Sequence, residues 1–167
     1  MRAPILLLLV LSASAAHAQS HRGSLGLNIE GGFEALTAIT SMATSDRGFR
    51  APVEVGGTLG VFDHGELTLS GRLEFPVAFV TGYGVSFYGG LRNSFGYDQW
   101  KTFFSIELAI HAAPFFTAGA RAGFGVLYDV LPIVAVYAVL HGQLGGGVAL
   151  RLSGDLSVGV QFRTYLF

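Results

Sequence analysis

Residues 156–167 read Leu156-Ser-Val-Gly-Val-Gln-Phe-Arg-Thr-Tyr-Leu-Phe167. In an extended chain, Leu156, Val158, Val160, Phe162 and Leu166 fall on one face, and Ser157, Gly159, Gln161 and Arg163 on the other. Such alternation marks a β-strand with a different environment on each side. The last residues of most domains fray. These are as strongly patterned as any in the chain, so the segment is expected to be the closing strand of a sheet.

The same period recurs upstream. After a tight Asp63-His64-Gly65 turn, residues 66–75 set Leu67, Leu69, Leu73 and Phe75 against Thr68, Ser70, Arg72 and Glu74. Residues 24–30, 51–62, 83–92, 100–111 and 116–126 alternate likewise, with breaks at the Asn/Ser/Gly/Asp-rich segment 93–99 and at Pro114. A final hairpin is read as residues 143–152, a Ser153-Gly154-Asp155 turn, and residues 156–167. Residues 132–141 are ambiguous: an extension of the seventh strand, a separate strand, or an apolar loop. Even strand counts are the rule in single-chain bacterial barrels, which favours eight strands with this segment continuous with the seventh. The longest gap, residues 35–50, is rich in Ser and Thr and is expected to be a loop, the first extracellular one if the chain forms an outer-membrane barrel.

Hydrophobic residues make up 51% of the chain and charged residues 13%. That charged share is about half the usual one. No run of the mature sequence is apolar and long enough for a spanning helix, so the hydrophobicity is spread over alternating strands. Arg2, the apolar residues 5–11 and the Ala16-His17-Ala18 site before Gln19 form a secretory signal. Residues 1–18 are therefore expected to be removed, leaving one domain over residues 19–167. Cysteine is absent, so the exported domain has no disulfides to hold it. Net charge is −1 and Lys101 is the only lysine, which excludes a basic surface for nucleic acid.

Alternation by itself does not say which face meets water. A soluble barrel that carries an apolar ligand has the same period with its faces inverted. Here the polar face is chiefly Gly, Ser, Thr and Asn with widely spaced ions, unlike a water-facing exterior rich in Lys, Glu and Asp. Small residues suit a narrow interior, and the uncharged opposite face suits lipid. A sheet in lipid must also close, because its edge groups have no water to bond.

The signal peptide, the Gly-rich strands, Gly145-Gly-Gly-Val-Ala-Leu-Arg-Leu152 and the terminal aromatic together resemble the small outer-membrane β-barrel family typified by OmpA and OmpX. The resemblance implies an all-β, eight-stranded, antiparallel, up-and-down transmembrane barrel. It also implies an assembly signal at Tyr165 and Phe167, read by the barrel assembly machinery through the C-terminal strand. In that signal the positions two, four and six before the terminal aromatic are hydrophobic, and here only Tyr165 complies. Either a bulge near the end resets the register or the signal is a weak variant. Roles in the family include adhesion, envelope integrity and small pores.

The polar face gathers Glu30, Glu54, Glu74 and Glu107 with Arg72, Arg92, Arg121, Arg151 and Arg163. Charges in a narrow lumen must pair, so these are expected to form a network that fills the barrel. Tyr83, Tyr97, Trp100, Tyr128, Tyr165 and Phe167 lie near strand ends and suit interfacial aromatic girdles. No catalytic or cofactor motif is found: there is no Gly-x-Ser-x-Gly elbow, and Gly145-Gly-Gly147 lacks the Lys and helix of a phosphate loop. Ser-His-Asp chemistry is not excluded by spacing alone. His111 and Glu107 share a face but lie about 13 Å apart along a strand, too far for a compact metal site. The expected role is structural or loop-mediated; the alternatives are a narrow pore and a soluble exported barrel.

Overall fold

A computed structural model describes residues 23–40, 45–96 and 99–165. The expected signal peptide over residues 1–18, Tyr97, Leu166 and Phe167 lie outside the described residues. Eight strands close into one antiparallel barrel in sequence order. They are β1 (Ser24–Thr40), β2 (Ser45–Gly60), β3 (Gly65–Ala78), β4 (Gly84–Phe95), β5 (Trp100–Ala113), β6 (Thr117–Leu131), β7 (Val134–Gly147) and β8 (Ala149–Tyr165). β8 pairs with β1 from Ser24↔Tyr165 to Thr40↔Ala149, so residues 156–165 lie in the strand that closes the sheet.

Connections are short at both ends. At the end holding the termini, residues 61–64, 96–99 and 132–133 link the strands; at the far end, residues 79–83, 114–116 and Val148 do so among those described. Residues 35–50 are not a loop: Ala35, Leu36 and Thr37 pair with Phe49, Gly48 and Arg47. The segment is poor in large hydrophobics, yet Glu34 and Arg50 face inward and hold it in the sheet. Ser153-Gly154-Asp155 is not a turn either: it runs through the middle of β8, opposite Gln143, Gly142 and His141. The turn falls at Val148, where three consecutive glycines relieve the chain of side chains. Residues 134–147 form the whole of β7, which accounts for the ambiguous segment and keeps the count at eight.

The face question is settled by burial. Arg50, Glu74, Ser86, His111 and Gln161 are fully buried at 0% exposure, whereas Leu69 and Leu108 are 72% exposed. The barrel is therefore polar within and apolar without, the inverse of a soluble globule. Its wall is taller around β8, β1 and β2 than around β4. Every strand exceeds the 9–11 residues or so that a tilted strand needs to span lipid.

Candidate functional site

A period of two sends alternate residues of every strand into the lumen, so side chains far apart in sequence meet there. Toward the far end, Arg50 Nη1 donates to Glu74 Oε2 at 2.7 Å. Arg151 Nη2 donates to Glu34 at 2.8 Å and to Glu74 Oε1 at 2.9 Å. Arg72 reaches across to Asp155 at 2.9 Å and approaches Glu34 at 3.5 Å. At mid-height, Arg121 donates to both oxygens of Glu54, at 2.7 and 2.8 Å, and through Nε to Glu107. Its guanidinium lies 3.6 Å from the centre of the Tyr88 ring. Near the termini, Arg92 pairs with Glu66. Beside it, Lys101 and Arg163 share Asp129 at 2.7 and 2.8 Å.

A directed chain of hydrogen bonds runs beside these pairs. The Ser86 hydroxyl donates to Glu74 at 2.8 Å, so it accepts from His111 Nδ1–H at 2.6 Å. His111 Nε2 then accepts from the Gln143 amide at 2.6 Å, and Gln143 Oε1 accepts from Tyr88 at 3.2 Å. This arrangement requires a neutral imidazole protonated at Nδ1.

Apolar plugs complete the filling. Phe103, Leu127, Ala135, Tyr137 and Val139 cluster in the half nearer the termini. Phe103 and Tyr137 meet edge to face at 6.0 Å, and the Arg92 guanidinium sits 5.2 Å over Phe103. At the far mouth, Val80 turns in onto Leu36 and Ala38. The preceding Phe79 makes that possible by adopting φ 61°, a left-handed conformation rare for an aromatic residue.

All nine ionic residues singled out from the sequence line this interior, but they are not its full set. Glu34, Arg50, Glu66, Lys101, Asp129 and Asp155 are equally buried and complete the pairs. Glu66, Lys101 and Asp129 share parity with lumen residues on their strands, a signal that was present. Arg50 and Asp155 were hidden because their segments read as loop and turn, and Glu34 because it lies beyond the expected end of the first strand at residue 30.

Glu30 stands apart. Its Oε2 accepts from Tyr137 at 3.0 Å, while Oε1 has no hydrogen-bond partner. It borders a small, partly open cavity of about 30 Å³ with Asn28, Glu54, Ser105, Glu107 and His141, between the Arg121 layer and the Phe103–Tyr137 plug. His141 Nδ1 bonds Asp155 at 2.9 Å, and Ser105 faces the same cavity without bonding to His141. Space of that size holds a water or two and no substrate. Among the described residues no three His, Cys, Asp or Glu side chains converge as a metal site.

Outside, Trp100 is 66% exposed and packs on Tyr128 at 4.7 Å near the termini. Tyr128 donates to Gln99 there at 3.1 Å. Tyr83 is 67% exposed at the far end and meets Phe75 edge-on at 5.8 Å. Tyr165 pairs with Ser24 in an unbroken β8–β1 register. No bulge resets the register up to that point, so Tyr165 keeps the parity of the lumen-facing residues.

No family model and no curated protein matches this chain. Solved structures do. The N-terminal β-barrel domain of Pseudomonas aeruginosa OprF aligns with a TM-score of 0.61 at 17% identity, over 86% of this chain and 98% of that one. A de novo designed transmembrane β-barrel gives 0.55 at 13% identity, over 87% and 99%. Neisserial surface protein A gives 0.55 at 17% identity, over 81% and 96%. The fold is that of the small transmembrane β-barrels.

Proposed function

We propose that this chain is a bacterial outer-membrane β-barrel with a structural role, held in lipid by its apolar wall and closed to solutes by its own side chains. The observation that carries the reading is the lumen. Ion pairs and apolar plugs occupy it from Arg50 at one end to Arg163 at the other, and the cavity beside Glu30 amounts to about 30 Å³. A narrow pore needs a continuous aqueous path, which side chains of an eight-stranded barrel normally fill. A soluble carrier of apolar ligands needs an apolar interior, and here the apolar side chains line the exterior. Loop-mediated binding draws little support, because the described far-end links are only residues 79–83, 114–116 and Val148. Lipid is the expected partner of the wall, and the assembly machinery that of β8.

The test is reconstitution of purified protein into planar bilayers, with fractionation of cells that express it. The expected result is recovery in detergent-extracted outer membrane, heat-modifiable migration, and no stable conductance steps. Reproducible unitary steps would overturn the plugged lumen, and recovery in the soluble periplasm would overturn the membrane assignment.

A further inference from the structure

Among the described residues, Glu30 is the lumen carboxylate that hydrogen-bonds to no cationic side chain. Glu30 on β1 stands directly opposite Glu54 on β2, and both point inward. Like charges in register repel unless something positive lies between them. Arg121 hydrogen-bonds Glu54 through both Nη atoms and Glu107 through Nε, and none of these bonds reaches Glu30. Arg92, which also borders the cavity, is held by Glu66. Glu30 keeps only the neutral Tyr137 hydroxyl.

The unpartnered atoms around the cavity are all oxygens: Glu30 Oε1, Asn28 Oδ1 and Ser105 Oγ. Ser105 is only 2% exposed, so bulk water does not satisfy it. Leaving such groups unmet is costly. Hard oxygen ligands that include a carboxylate with no ion pair of its own match a small monovalent cation. A divalent metal would want more carboxylates than Glu30 alone has free, consistent with no three-residue metal cluster among the described residues. Space of about 30 Å³ admits a sodium ion with a water and excludes a bulky organic cation.

We propose that the cavity bounded by Glu30, Asn28 and Ser105 is a structural sodium site, whose ion neutralises Glu30 and completes the lumen network. This goes beyond the structural role: it makes the folded barrel's stability depend on a specific ion.

The experiment refolds the barrel into detergent in sodium chloride or in N-methylglucamine chloride at equal ionic strength. Each sample is melted, and radioactive sodium retained after desalting is counted. In wild type, sodium should raise the melting temperature by about 3–6 °C for each tenfold excess over its Kd. About one sodium should be retained per barrel. Glu30→Gln should lose both the shift and the retained ion; Ser105→Ala, a milder change, should weaken retention while folding normally. Equal melting in both salts with no retained sodium would show water and a protonated Glu30, and would overturn the site. So would Glu30→Gln retaining the full sodium response. A conducting barrel would defeat the plugged lumen without touching this result, and absent sodium would leave the plug standing.

Discussion

Replacing Arg121 with methionine keeps most of its volume and removes the charge on which the mid-height layer is built. Two charge-assisted bonds to Glu54, at 2.7 and 2.8 Å, disappear together with the pair to Glu107. The stacking on Tyr88 at 3.6 Å becomes a thioether contact. Glu54 retains Ser70 and an Arg72 at 3.8 Å, and Glu107 retains Thr68 at 3.3 Å. A dry Coulomb sum would exaggerate the loss severalfold, because the charged pair was also expensive to desolvate. Breaking a buried pair while leaving its partner charged costs about 3–5 kcal/mol, and that is the expected destabilisation. Urea unfolding in lipid vesicles measures it through Trp100, the only tryptophan. Adding Glu54→Gln and Glu107→Gln should recover most of the loss, since removal of a whole buried network is close to neutral. A single-variant cost below about 1 kcal/mol, or a triple variant no better than the single, would refute the account of the lumen as a set of mutually dependent ions.

Other substitutions probe the remaining claims. Asp155→Asn should cost about 3 kcal/mol by urea titration, because Arg72 and His141 lose their shared carboxylate; a turn residue would be nearly silent. Leu108→Arg places a charge on the exposed outer wall near mid-strand and should cost about 2–4 kcal/mol in vesicles. A negligible effect there would mean that this face does not meet lipid. Gly159→Ala should cost about 1–3 kcal/mol and perturb Tyr137, because a Cβ at 159 falls 2.5 Å from the tyrosine ring and 2.8 Å from the Ile29 carbonyl. Nuclear magnetic resonance of the His111 ring nitrogens should show a neutral Nδ1–H tautomer, and the Nε2–H form would contradict the chain from Tyr88 to Glu74.

Where an element was read correctly, its own residues carried the signal. Residues 66–75 alternate with only Gly71 breaking the apolar face, and they form the body of β3. Residues 35–50 were misread because local composition is a weak guide to strands. Thr37 and Asp46 look like loop residues, yet they lie in paired strands held by neighbours that the segment itself does not contain. Gly154-Asp155 looked like a turn for the same reason. Its actual environment is Arg72, from a strand more than eighty residues away.

The sequence by itself determined that this chain alternates with a period of two, that one face carries almost no charge, and that its last segment closes a sheet. Those are properties of consecutive residues, and the pleat converts them directly into two faces. Which face looks inward was argued from composition and decided by the closed barrel, because inside and outside exist only once β8 meets β1. Pairing was decided there too. Glu30 and Arg121 have the same credentials in the sequence, as lone ions on a polar face. Only the register and the reach of side chains across the axis bond Arg121 to two carboxylates and leave Glu30 bonded to the Tyr137 hydroxyl.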